Sequence, residues 1–186
     1  MFHLDSGILY RRVAKYLIDN KISYKNVTKI KIILKSIKKI SHRKHITLRT
    51  ENISNLTSLI AIYPFVRKFV NNQQKLAVSS ILKKNKGCVI DGRDIGTKVF
   101  KNAKIKLFID ANIEIRAKRR HKQLIEQGEK SIYSRILKDL KLRDKTDTKR
   151  NVSPLVVPKK AIIVDNSYSF KNTIEQLEKA MFKIKK

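Results

Sequence analysis

Tryptophan is absent from the 186 residues, cysteine occurs once, proline three times and glycine five times. A single cysteine, Cys88, excludes an internal disulfide and fits a reducing compartment. So few glycines and prolines exclude a fibrous or linker-rich chain. No apolar run approaches the ~20 residues that a membrane span needs. Met1 is followed by Phe2, His3, Leu4 and Asp5, without the basic flank and apolar stretch of a signal peptide. These absences lead to the expectation of a soluble, cytoplasmic protein. Acidic residues are scarce as well: 15 against 44 Lys and Arg, a net charge of +29.

A charge of that size draws anions: nucleic acid, anionic lipid, nucleotides. A plainer reading competes with it. Lysine, isoleucine and asparagine are heavily used throughout. Many lysines, as between Lys29 and Lys39, alternate with apolar residues at helical spacing and would form solvated faces. Charge alone therefore allows an anionic partner without choosing one. Apolar residues at 41% and charged residues at 32% give a globular balance, and the length suits one domain with a real core.

Hydrophobic periodicity divides the chain into two rhythms. In the first half, residues 1–4 form a short apolar stretch. Helical patterns follow, one carrying Leu9, Val13, Tyr16 and Leu17 on one face, and one over about 26–40 with Val27, Ile30, Leu34 and Ile37 inward. Residues 46–49 read as extended. Helices are expected over 51–62, ended by Pro64, and over about 65–84, with Phe65, Phe69, Leu76, Ile81 and Leu82 building the core face. In the second half short apolar runs at 88–90, 105–109 and 161–164 alternate with helices at about 113–127 and 132–144 and a last helix carrying Ile174, Leu177 and Met181. Each short run ends in an acid: Asp91, Asp110, Asp165. Strands alternating with helices predict an α/β fold, a parallel sheet with helices on both faces in three layers, ligands lying beyond the carboxyl ends of the strands. One domain over residues 1–186 is expected, with 25–62 as an insertion.

Five segments hold polar residues that structure alone does not require. Asp5-Ser6-Gly7 opens a helix, where free N–H groups favour an anion, and an ordinary N-cap explains it equally well. Arg67, with Gln73 and Gln74, lies on the long helix, where an arginine is normally a surface residue. Asp91-Gly92-Arg93-Asp94-Ile95-Gly96-Thr97 directly follows a strand, and an arginine there can fork onto a phosphate or carboxylate. Arg116, Arg119 and Arg120 share one side of a helix, either as a solvated basic face or as a clamp for a transferring phosphoryl group. Arg143, Asp144, Asp147, Arg150 and Ser153 end the series, and surface ion pairs account for them as an alternative. His42 and His45 lie in a lysine-rich stretch with no cysteine or acid cluster beside them, and no metal ligation is expected.

Taken in this order, LDSGILYR, VRKF with QQ, DGRDIGT followed by VF and AKIKLFIDA, RRHKQL, and the RD, D, R, SPL series resemble bacterial cytidylate kinases, members of the nucleoside monophosphate kinases. The resemblance runs from residue 2 to the last helix and is weakest over 15–45. It implies a P-loop kinase-like fold in which residues 25–62 form the monophosphate-binding insertion and 113–150 the lid region. It implies ATP-dependent phosphorylation of CMP and dCMP to CDP and dCDP, with Mg2+ bridging the donor phosphates. Carried over by position, Ser58, Arg67 and Asp94 would read the cytosine. Arg143 and Asp147 would bind the sugar. Arg11, Arg93 and Arg150 would hold the acceptor phosphate, with Ser6 lining that pocket. Arg116 and Arg120 would belong to the mobile lid and, with Arg150, would act in catalysis. The expected partners are CMP or dCMP and ATP, with no membrane, no specific nucleic acid, and a monomeric state.

One family feature is not in the sequence. Such kinases hold ATP with G-x-x-x-x-G-K-[ST] or a close variant after the first strand. No Gly-Lys pair occurs here, and Gly87 and Gly92, at the right separation, are followed by Arg93-Asp94. The expectation is that strand one, the phosphate loop and helix one lie upstream of Met1, on the order of 25–30 residues for such a unit. The sheet would then lack its central first strand, whose loss strands buried N–H and C=O groups on both neighbours. A shortened reading frame is favoured over a decayed gene product because the remaining motifs are intact. Little kinase activity is expected of this polypeptide alone. The competing classes are a basic nucleic-acid-binding protein and a remnant that binds a nucleotide without phosphoryl transfer.

Overall fold

The computed structural model describes residues 1–42 and 46–185, so His45 lies outside the described residues. His42 meets the Phe2 ring edge-on at 5.5 Å. The chain divides into two compact units, Met1–Ile95 and Gly96–Lys186.

In the first unit β1 (Phe2–Asp5) leads directly into α1 (Ser6–Asp19), followed by α2 (Val27–Ser36), α3 (Glu51–Ile60), α4 (Pro64–Leu82) and β2 (Cys88–Asp91). β1 and β2 pair in parallel, Phe2 opposite Cys88 and Asp5 opposite Asp91. The apolar stretch at the start is therefore a strand. Four residues are too few to show a period, and its partner lies more than eighty positions away. α2 begins where a side chain takes up a free N–H group: Asn26 Oδ1 accepts from Lys29 N at 3.0 Å. Pro64 opens α4 at a first-turn position, where its missing N–H costs nothing.

Leu9, Val13 and Leu17 of α1, Ile30 and Leu34 of α2, Ile53 and Ile60 of α3, and Val66 and Val70 of α4 make one core. Most of the expected inward faces hold. α4 does not follow its expected face: Leu76 is 58% exposed and Leu82 50%, while Val66, Val70, Ala77 and Val78 are buried with Ile81. The smaller β-branched residues occupy the stripe that carries Arg67 and Gln74, and that stripe faces α1, α2 and β2. Residues 46–49 form a single 3-10 turn instead of an extended segment. Arg11 Nη1 donates to the Leu48 carbonyl at 2.8 Å, an oxygen that a ladder would otherwise use. Tyr16 is also not inward; it is 39% exposed.

A π-helical turn, Ile95–Val99, spans the boundary between the units. The second unit then contains β3 (Leu107–Asp110), α5 (Ile113–Glu126), α6 (Tyr133–Lys149), β4 (Ile162–Asp165) and α7 (Phe170–Lys185). β3 and β4 pair in parallel, with Asp110 opposite Asp165. Asn112 Oδ1 caps α5, accepting from Glu114 N at 2.8 Å, and Gly128 ends it at φ 75°, a conformation that suits a residue without Cβ. α6 continues to Lys149, five residues beyond the expected end. α7 packs on β4. Gln176 fastens that contact, donating to the Asp165 carbonyl at 2.8 Å and accepting from Asp165 N at 2.9 Å.

The fold is α/β with parallel strands, as the alternation of strands and helices requires. Among the described residues four strands form two ladders of two, one in each unit. Every strand ends in an aspartate, which places acids in register at the carboxyl ends where such folds bind ligands. Among the described residues no helix is long and apolar enough to cross a membrane.

Candidate active site

In the first unit, α4 presents Arg67 to the loop after β2. Its Nη1 donates to Asp94 Oδ2 at 3.0 Å, and its Nε donates to the Ala61 carbonyl at 2.7 Å. Both side chains of the pair are only 6% exposed. The Tyr10 ring lies with its centroid 5.9 Å from the Arg67 guanidinium carbon, within cation–π range. Two charges removed from water need close pairing and further hydrogen bonds to be tolerated, and this arginine has both.

The turn that delivers Asp94 depends on Gly92. A Cβ at that position would stand 2.3 Å from Ser6 Oγ and 2.7 Å from Ile95 Cγ1. Ser6, buried at the start of α1, thus lies against the backbone of the same loop. Arg93 follows Gly92 and is half-buried.

Arg11, one residue after Tyr10, points to α3. Its Nη1 donates to Ser54 Oγ at 2.8 Å as well as to the Leu48 carbonyl. Ser58 lies one turn beyond Ser54 and is exposed, its hydroxyl donating to the Ser54 carbonyl at 3.3 Å. The structure therefore buries Ser6, Tyr10, Arg67 and Asp94, with the exposed Gly92 beside Ser6 in the loop that carries Asp94. It holds Arg11 by α3 and leaves Ser58 on the outer surface of α3. Tyr10 and Gly92 stand inside the LDSGILYR and DGRDIGT motifs without an expected role. Their signal was an aromatic between the helix start and Arg11, and a glycine between two acids.

In the second unit Arg116, Arg119, Arg120, Arg143 and Arg150 are tied to carboxylate and carbonyl oxygens. Arg116 Nη2 donates to Asp144 Oδ2 at 2.6 Å and its Nε to the Ala111 carbonyl at 2.9 Å, joining α5 to α6. The hydrogen bond donated to Asp144 raises the guanidinium pKa above the ordinary arginine value. Arg120 Nη1 donates to Gln123 Oε1 at 2.9 Å on its own helix. Arg119 instead braces the chain after β4, donating to the carbonyls of Asn166 at 2.7 Å and Tyr168 at 2.8 Å. Asp147 receives Arg150 Nη1 at 2.7 Å, and Arg143 Nε stands 4.0 Å from its other oxygen. Arg150 also donates to the Ser153 carbonyl.

A separate open cavity of about 700 Å³ lies beyond the carboxyl end of β4, lined by Asn112, Glu114, Ile115, Asp165, Ser167 and Tyr168. None of the expected site residues lines it. Hydrogen bonds from the Ser167 hydroxyl and backbone hold the Asp165 carboxyl below the ordinary aspartate pKa, so it stays ionised there. Among the described residues no group of three or more His, Cys, Asp or Glu could hold a metal ion on its own.

Comparison with known proteins agrees with the motifs. The family model described as cytidylate kinase matches residues 1–186. The chain is 38% identical to the cytidylate kinase of Rickettsia conorii over 165 residues, covering 89% of this chain and 72% of that protein. It is 34% identical to the cytidylate kinase of Thermosipho melanesiensis, covering 97% of this chain and 85% of that protein. With a family match over its whole length and relatives matched over most of theirs, the chain belongs to the cytidylate kinase family and is a nucleoside monophosphate kinase.

Proposed function

We propose that the chain phosphorylates CMP or dCMP with ATP as donor, in the cytoplasm and as a monomer. The observation that carries this reading is the buried Arg67–Asp94 pair at 3.0 Å. Cytosine presents two acceptors, N3 and O2, beside one donor, its 4-amino group. A guanidinium that donates next to a carboxylate that accepts matches that order, and the low-dielectric surroundings sharpen the choice. The pair is closed from solvent here, so the base reaches it after the covering side chains move, as substrate-driven closure in such enzymes requires.

Arg11 and Arg93 then supply positive charge for the acceptor phosphate, with Ser6 beside the loop that carries Arg93. Ser58 keeps a proposed part in holding the base through the outer surface of α3. In the second unit the roles remain those the resemblance implies: Arg143 and Asp147 for the sugar, Arg150 for the phosphate, Arg116 and Arg120 for the lid. In the transfer, an oxygen of the CMP phosphate bonds to the γ-phosphorus of ATP. The bond to the β–γ bridging oxygen breaks, and ADP leaves with that electron pair. The arginines neutralise charge on the equatorial oxygens.

Turnover by this polypeptide alone is expected to be low, because no Gly-Lys pair is present to hold the donor phosphates. The test has two arms. Calorimetry should show CMP bound more tightly than UMP or AMP, with the preference lost in Arg67→Met and Asp94→Asn. A coupled assay with CMP and ATP should show weak turnover that rises when a phosphate-loop segment is joined upstream. Equal affinity for CMP and AMP would sink the substrate assignment.

A further inference from the structure

On a different side of α1 from Arg11 lies an open groove of about 350 Å³ between that helix and residues 37–41, lined by Arg12, Val13, Tyr16, Ile37, Lys39 and Ile40 among others. Arg11 and Arg12 are adjacent, so their side chains leave the helix roughly 100° apart. Arg11 turns to α3, donating to Leu48 and Ser54, and the groove is not part of that contact. Tyr16 offers a partly exposed ring there, and Val13, Ile37 and Ile40 supply apolar wall.

The groove adjoins the most one-sided stretch of charge in the protein. Residues 20–50 contain ten basic side chains, from Lys21 to Arg49, and no acid. Lys25, Lys29, Lys35, Lys38 and Lys39 are exposed on or around α2, a helix roughly 15 Å long by its rise per residue. The one acid lining the groove, Asp19, is taken up by Lys15 at 2.8 Å. Helical periodicity makes these lysines a solvated face. The structure adds an aromatic, apolar-walled cleft at the end of that face.

We propose that α2 and this groove form a binding surface for single-stranded nucleic acid, the lysines following the phosphate backbone and one base stacking on Tyr16. A mononucleotide would engage only a few of these cations, whereas a polyphosphate chain uses the whole tract and releases counterions along it. A duplex keeps its bases paired and has none to offer to the ring. Stacking on a π-face accepts any base, so the surface reads strand form and not sequence.

The experiment is fluorescence anisotropy of the full chain with a labelled single-stranded RNA of about fifteen nucleotides and with its duplex. Single-strand binding should weaken steeply with salt. Lys35→Glu combined with Lys38→Glu and Lys39→Glu should lower affinity about tenfold or more and flatten the salt slope. Tyr16→Ala should lower it about fivefold or more at unchanged slope, with Tyr16→Phe close to the parent chain. The same charge change on α6, Lys138→Glu with Lys141→Glu and Lys145→Glu, should cost no more than about threefold. The proposal is overturned if both triple variants weaken binding equally, if Tyr16→Ala has no effect, or if the duplex binds as tightly as the single strand. Each variant should melt within a few degrees of the parent chain, which separates loss of the surface from loss of the fold.

Discussion

Arg67 and Asp94 meet at 3.0 Å with almost no access to water, although twenty-seven positions separate them in the chain. Each is the other's counter-charge in a buried contact. The pair is costly to break from one side, because the remaining charge stays buried.

Asp94→Ala should therefore lower stability by about 3–5 kcal/mol and abolish the CMP-dependent rise in melting temperature. Replacing both partners, Arg67→Met with Asp94→Leu, should recover much of that stability and none of the CMP response. Urea unfolding with and without CMP measures both effects.

Tyr10 holds the guanidinium by its ring, so Tyr10→Phe should keep CMP affinity close to that of the parent chain. Tyr10→Leu removes a contact of about 0.5–2 kcal/mol and should weaken CMP binding by a corresponding few-fold to thirty-fold. Equal affinity of the Leu and Phe variants would show that the ring does not position Arg67.

Gly92→Ala places a methyl group 2.3 Å from Ser6 Oγ and 2.7 Å from Ile95 Cγ1, and these side chains or the loop must shift. A loss of about 1–3 kcal/mol is expected. In the Gly92→Ala, Ser6→Gly double variant part of that loss should return, since one of the two clashing atoms is gone. Thermal denaturation of the three variants checks the recovery.

Cys88 is the only cysteine in the chain. Burial of the β2 thiol pushes its pKa above the ordinary value of 9.0. Alkylation by iodoacetamide at neutral pH should be slower than for an exposed thiol, rising only at more alkaline pH. The sign for stability follows. The unfolded chain releases this proton first, so the contribution of Cys88 is present below pH 9.0 and falls as pH climbs through the raised folded value. Cys88→Ala should remove that part of the alkaline loss in a series of unfolding curves.

Much of the fold could be read in advance. Short apolar runs ending in Asp91, Asp110 and Asp165 are strands, and the helices between them lie within a few residues of their expected bounds. The departures have local causes. Phe2–Asp5 is a strand only because Cys88–Asp91 lies beside it. Residues 46–49 turn because Arg11 takes the Leu48 carbonyl. The faces of α4 went to Val66, Val70 and Val78 instead of Leu76 and Leu82, because the stripe that carries Arg67 must also bury its neighbours.

The sequence by itself determined the chemistry available: the excess of cations, the strand-end acids, and motifs that place Ser6, Arg67 and Asp94 in one family of kinases. Those are properties of residue type and spacing along the chain. Tertiary structure alone decided that Arg67 faces Asp94 and Tyr10 out of reach of water, that Ser58 faces outward, and that Tyr16 lines a groove at the end of the lysine tract. Pairings of that kind depend on which helix faces pack together, and no local pattern encodes the distance between side chains carried by different elements.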